Sequence, residues 1–234
     1  MSAAAMGYLN LTVKVNEREQ VSAALYLASK PHRCGVTLLL GHGAGANQLS
    51  GFMRLFAAGL AERGLDVVTF NFLYAEQGRK VPDPAPRLES CYRTVIDAVV
   101  KHKKLKGNRL VIGGKSMGGR IASQVAASQP ADINGLVFLG YPLHPPGRPD
   151  KLRSEHLPKI KVPMLFVQGS RDAFGTKQEI TAIIRNLKLP AKLYAIEHGD
   201  HSLKVPKSAG TLQQGIYSTV MDEVAGWSSS LAHR

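Results

Sequence analysis

Cysteine is scarce in these 234 residues. Cys34 and Cys91 are the only two, and neither their number nor their spacing suits a disulfide framework or a zinc site. A reducing compartment is the simplest fit. No uninterrupted apolar stretch approaches the ~18 residues of a membrane span, and residues 1–6 lack the basic start and apolar run of a signal peptide. The expectation is a soluble, cytoplasmic protein. His, Asp and Glu show no metal-ligand spacing, so no metal is expected. Acidic residues are few as well: 17 Asp and Glu stand against 30 Lys and Arg, a formal net charge of +13. Such an excess permits attraction to nucleic acid, acidic lipid or anionic substrates without choosing among them. At this length, with 44% hydrophobic residues, one domain spanning 1–234 can bury a core without covalent staples.

What is present is an alternation of strand and helix patterns. Residues 9–15 alternate apolar and polar, and 21–27 form a second β-prone run, as in an opening antiparallel hairpin. Residues 36–40 are short, apolar and bounded by Gly35 and Gly41, as expected of a strand buried on both faces. Helical spacing follows over 52–63, ending at Gly64. A strand is expected at 66–70, a loop with three prolines at 71–87, and a helix at 88–104. Strands at 110–114, 135–140, 164–168 and 192–196 then alternate with helices near 121–127, 177–187 and 212–231. A proline-rich insert occupies 141–158. This order predicts an α/β fold with a mainly parallel sheet and helices on both faces.

Leu110-Val111-Ile112 runs into Gly113-Gly114-Lys115-Ser116-Met117-Gly118-Gly119-Arg120. Gly114 to Gly118 fits G-x-S-x-G, in which a serine at a strained strand-to-helix turn projects its hydroxyl above the sheet edge. A Cβ at either glycine would collide with the neighbouring strand or helix. An inert serine on a glycine-rich turn has the same five residues, so context decides. The Gly114-Lys115-Ser116 tail of a P-loop is rejected, because Arg109 stands where that motif needs its first glycine.

Loops leaving the C-terminal ends of parallel strands share one edge of the sheet, where ligands collect. Four are informative: Gly41-His42-Gly43-Ala44-Gly45-Ala46-Asn47, the Ser116 turn, Gly169-Ser170-Arg171-Asp172, and Glu197-His198-Gly199-Asp200-His201-Ser202. Serine, acid and histidine appear in the order of an α/β-hydrolase sheet. A hydroxyl is a weak nucleophile until an imidazole takes its proton, and a carboxylate fixes the imidazole tautomer. The candidates are therefore Ser116, Asp172 and His201. Asp172 is preferred to Asp200, which lies one residue from His201 and is poorly placed to face it. His201 is preferred to His198, whose side chain is expected to pack or to bond backbone just behind the strand. Backbone N–H groups of Ala44, or a neighbour, and of Met117 are expected to bind an oxyanion.

Other features weigh less. His42 reads as a donor bracing its loop. Gly41-x-Gly43-x-Gly45 lacks the third glycine of a dinucleotide fingerprint, counted from either end. The basic run 101–109 lies on the edge opposite Ser116 and reads as a solvated helix terminus, so nucleic acid is not an expected partner. Arg79, Lys80 and Arg87 lie in the long loop on the serine's edge and make anionic substrates worth testing.

These motifs, with Gly140-Tyr141-Pro142-Leu143-His144-Pro145, resemble α/β-hydrolases of dienelactone-hydrolase size. The resemblance runs from Val36 to the end of the chain, and most nearly to the branch containing testis-expressed and NSL-complex-subunit proteins and their bacterial relatives. It implies an eight-stranded sheet with an antiparallel second strand and no cofactor. Dienelactone hydrolases carry cysteine where this chain has Ser116, so their substrate is not carried over. Some members of the nearer branch look like scaffold subunits. The expected function is a serine hydrolase acting on a small ester, thioester or similar acyl substrate. A non-catalytic scaffold using its basic surface is the alternative, and peptidase action shares the same residues. The segments 71–87 and 141–158 are expected to rim the pocket, being too short for a lid domain.

Overall fold

The computed structural model describes residues 7–128, 132–187, 190–210 and 212–232; residues 1–6, read above as no leader, lie outside these. Its elements are β1 (Leu9–Lys14), β2 (Gln20–Tyr26), β3 (Val36–Gly41), α1 (Gly51–Glu62), β4 (Asp66–Phe70), α2 (Leu73–Glu76), α3 (Ala85–Lys101), β5 (Arg109–Lys115), α4 (Met117–Ser128), β6 (Ile133–Leu139), β7 (Met164–Gly169), α5 (Lys177–Arg185), β8 (Ala191–Ile196) and α6 (Gln213–Ser229). All eight strands join one sheet in the order β1-β2-β4-β3-β5-β6-β7-β8. β2 runs against both neighbours and the remaining pairs are parallel. The sheet is thus mixed, with one reversed strand in the opening hairpin.

The apolar runs explain the layering. In β3 every residue is buried. Leu39 joins one core with α3, α4 and α5, whereas Leu38 and Leu40 join the other with α1 and α6. Successive strand side chains point to opposite faces, so a strand covered on both sides must be apolar throughout. Burying each such leucine contributes about 1.5–3 kcal/mol. Among the described residues no helix is long and apolar enough to cross a membrane, and no large lid covers the sheet edge.

The segment 71–87 departs from the expected loop. Its first half folds into the single turn of α2, with Leu73 and Tyr74 buried, and its end is already helix. α3 begins at Ala85 because its prolines suit a helix start: Pro84 is the N-cap and Pro86 lies in the first turn, where a missing N–H costs no hydrogen bond. The same helix ends at Lys101, three residues early, and its C-cap at His102 is extended.

The chain moves from β3 outward to β4, then back across β3 to β5. This reversal opens a crevice at the C-terminal ends of β3 and β5. Both the glycine-rich loop and the Ser116 turn emerge there.

Candidate active site

Ser116 occupies the turn between β5 and α4 with φ +50°. That left-handed conformation costs a side-chain-bearing residue on the order of 1–2 kcal/mol. Close packing holds the turn. A Cβ on Gly114 would lie 2.3 Å from the Gly41 carbonyl oxygen, and one on Gly118 would lie 2.1 Å from the same atom. Strand β3 and helix α4 therefore approach through two glycines, and the serine between them is lifted above the sheet.

His201 Nε2 lies 2.8 Å from Ser116 Oγ, and its Nδ1 lies 2.8 Å from Asp172 Oδ2. A buried carboxylate accepts the Nδ1 proton, which leaves Nε2 to accept from the serine hydroxyl. Asp172 is fully buried. Its Oδ1 accepts from the Phe174 N–H at 2.8 Å, and its Oδ2 also accepts from Gln168 Nε2 at 2.8 Å. The helix behind it is capped by Thr176 and Glu179 in a reciprocal capping box, so Asp172 has no capping duty. Asp200 folds back on its own turn, accepting from the Ser202 and Lys204 N–H groups.

His198 departs from expectation. It is exposed, with φ +61°, and among the described residues its one hydrogen bond is from its backbone N–H to Ser170 Oγ. The side chain is therefore neither buried nor bonded to backbone as expected. His42 braces the neighbouring loop as expected: Nδ1 donates to the Gly43 carbonyl, and Nε2 accepts from the Phe72 N–H. Burial lowers the pKa of this imidazole to about 4, which keeps it neutral and suits one donor and one acceptor.

Ala44 and Met117 line one cavity with Ser116, of about 300 Å³. Neither N–H has a hydrogen-bond partner among the described residues. Met117 opens α4, where unpaired N–H groups and the helix dipole favour negative charge. Both rim segments contribute: Asp83 and Ala85 from one, Pro142 and Arg153 from the other.

Two of the three cations expected to draw anionic substrates are paired with carboxylates. Arg79 pairs with Asp83 at 2.7 Å, and Arg87 pairs with Glu19 at 2.5 Å. Glu19 is far away in sequence, so that pairing could not be read from the loop. Lys80 is exposed.

Several residues that the sequence left unmarked hold the site. Gln168 is buried at the end of β7, a polar residue in an apolar strand. It donates to Asp172 and the Gly175 carbonyl and accepts from the Tyr141 N–H. That lone polar position was the available signal. The Phe174 ring lies against His201, with centroids 4.1 Å apart. Lys115 Nζ donates to the His201 carbonyl at 2.6 Å. Burial brings this amine down to about 8, opposed by the charges of Asp172 and Asp200. Cys91 is no rival nucleophile: burial pushes its thiol up to about 12, far from thiolate at neutral pH. Among the described residues no group of three or more His, Cys, Asp or Glu is arranged to hold a metal ion.

The family model of the alpha/beta hydrolase domain matches residues 35–229. Solved structures share the fold. A dienelactone hydrolase from Anabaena variabilis superposes with a TM-score of 0.75 at 22% identity, over 96% of this chain and 97% of its own. An alpha-beta serine hydrolase homologue from Coxiella burnetii gives 0.72 at 18% identity, over 95% and 98%. A lidless serine hydrolase from Xanthomonas campestris gives 0.69 at 21% identity, over 90% and 94%.

Proposed function

Because this chain belongs to the alpha/beta hydrolase domain family, we propose that it is a serine hydrolase cleaving small esters, thioesters or similar acyl compounds. The observation that carries the reading is the unbroken pair of 2.8 Å hydrogen bonds from Asp172 through His201 to Ser116.

In this reading, Ser116 Oγ attacks the substrate carbonyl carbon while its proton passes to His201 Nε2. The C=O π pair becomes the oxyanion of a tetrahedral intermediate, held by the Met117 and Ala44 N–H groups. Asp172 stays ionised and stabilises the imidazolium. As the intermediate collapses, the carbonyl re-forms and the bond to the leaving group breaks, that group taking the His201 proton. Water then attacks the acyl-enzyme, giving its proton to His201; the proton returns to Ser116 as the free acid departs. Each preorganised oxyanion donor lowers the barrier by about 3–4 kcal/mol.

Three further readings accompany this one. A single domain is supported by the one sheet that links β1 to β8. The nearer kinship with the testis-expressed and NSL-complex-subunit branch rests on the Gly113–Arg120 and Gly140–Pro145 motifs. A cytoplasmic location fits two free cysteines.

The test is stopped-flow hydrolysis of an acyl panel. Activated esters and thioesters are expected to give a burst near one equivalent of leaving group, followed by slower turnover, because acylation precedes deacylation. Folded protein that turns over no member of the panel would contradict the proposal.

A further inference from the structure

Arg120 and Arg153 line the cavity that contains Ser116. Both are partly buried, and neither has a carboxylate partner among the described residues. Arg120 has one weak side-chain contact, to Gln124 Oε1 at 3.4 Å. Its nearby acid, Glu89, is paired with Arg93 at 3.1 Å. The one carboxylate on the cavity wall, Asp83, is matched by Arg79 at 2.7 Å and faces Arg87 at 3.7 Å. The cavity therefore keeps two uncompensated guanidinium groups beside the nucleophile.

Two like charges in one partly desolvated cavity repel. Burial, and after it the charge of Arg153, lower the pKa of the Arg120 guanidinium. Such an arrangement is unfavourable unless something anionic completes it. Both backbones are nevertheless pinned. The Arg153 N–H donates to the Leu143 carbonyl at 2.8 Å, and the Arg153 carbonyl accepts from the Tyr141 hydroxyl at 2.7 Å. The Arg120 carbonyl accepts from the Ser123 hydroxyl at 2.7 Å, and that hydroxyl oxygen lies 2.7 Å from His156 Nε2. Burial lowers the pKa of His156 to about 4, so the neutral ring donates to Ser123 and adds no third cation. The backbone positions from which both arginines reach the cavity are thus fixed before any ligand arrives, and the guanidinium groups remain available to an anion.

We propose that Arg120 and Arg153 form a subsite for an anionic oxyacid group on the substrate, a carboxylate above all, so that the preferred substrates are acyl compounds carrying a negative charge near the scissile bond. The planar guanidinium fork matches a carboxylate with two parallel hydrogen bonds. The inference rests on Ser116 being the nucleophile; its own content is the charge of what Ser116 meets.

Two matched ester pairs test it. Para-nitrophenyl hexanoate against the para-nitrophenyl half-ester of adipic acid places a carboxylate on the acyl side. Phenyl acetate against para-acetoxybenzoate places it on the leaving side. After subtraction of uncatalysed hydrolysis, wild type is expected to favour the anionic member of at least one pair in kcat/KM by about tenfold or more. In Arg120→Gln and Arg153→Gln that ratio is expected to fall by about tenfold, with Arg153→Lys intermediate. Arg153 lies in the insert, outside the sheet and helices, so its variants do not depend on repacking α4. Equal rates within both pairs, or a preference unchanged in both glutamine variants, would overturn the subsite and leave the hydrolase reading standing. Calorimetric titration of Ser116→Ala with the same compounds separates the two claims. Tighter binding of the anionic member, lost when Arg153→Gln is added, supports the subsite even if wild type hydrolyses nothing; equal binding overturns it.

Discussion

Ser116→Ala and His201→Ala are each expected to lower kcat on an activated ester by about 10⁴- to 10⁶-fold, and the double variant is expected to fall little further. The reason is the geometry. His201 Nε2 has one substrate-side partner, the Ser116 hydroxyl at 2.8 Å, so either truncation removes the whole proton-transfer step. The residual rate belongs to the oxyanion donors and the cavity, which neither change touches. Alanine at 116 keeps the positive φ and its strain, so the melting temperature is expected to stay within a few degrees of wild type. The kinetics are read with ester hydrolysis and the fold with a thermal melt. Additive losses in the double variant would mean that the two residues act separately and would break the proposed chain.

Gly118→Ala is expected to cost the fold heavily. The added methyl would sit 2.1 Å from the Gly41 carbonyl oxygen and 2.9 Å from the Gly41 Cα. Gly41 cannot easily yield, because it is the end of β3 and pairs in register with both Phe70 and Gly114. Relief requires shifting α4 or breaking ladder bonds, so a cost of about 3 kcal/mol or more is expected. Because α4 carries Met117 and follows directly on Ser116, activity is expected to fall with it. Gly226→Ala in α6 is the control. Nothing lies within 4 Å of its added methyl, and a helical alanine there is expected to gain roughly 0.5–1 kcal/mol. Equilibrium urea melts of the two variants measure both numbers.

The parts of the fold that are legible in sequence are those governed by local pattern. β3 reads as a buried parallel strand because Val36 to Leu40 is uninterrupted and apolar, and the position of Ser116 follows from glycines that only a close strand-to-helix approach requires. α2 is a single turn, too short for helical spacing to mark. The start of α3 is hidden by prolines that suggest a loop yet occupy its cap and first turn. Long-range pairing is the larger gap. Arg79 and Arg87 look like free loop cations until Asp83 and Glu19 are placed beside them, whereas Arg120, on a helix, becomes a cavity residue only when the 141–158 insert brings Arg153 near. Gln168 is visible as a polar residue in a strand, but its hold on Asp172 depends on how β7 meets the next loop.

The most direct measurement is residue-resolved labelling with a fluorophosphonate, which phosphonylates an activated serine and loses fluoride. Digestion and mass spectrometry are expected to find one equivalent of adduct on Ser116, greatly slowed in His201→Ala and absent in Ser116→Ala. Folded wild-type protein that stays unlabelled, or carries its adduct on another residue, would contradict the account.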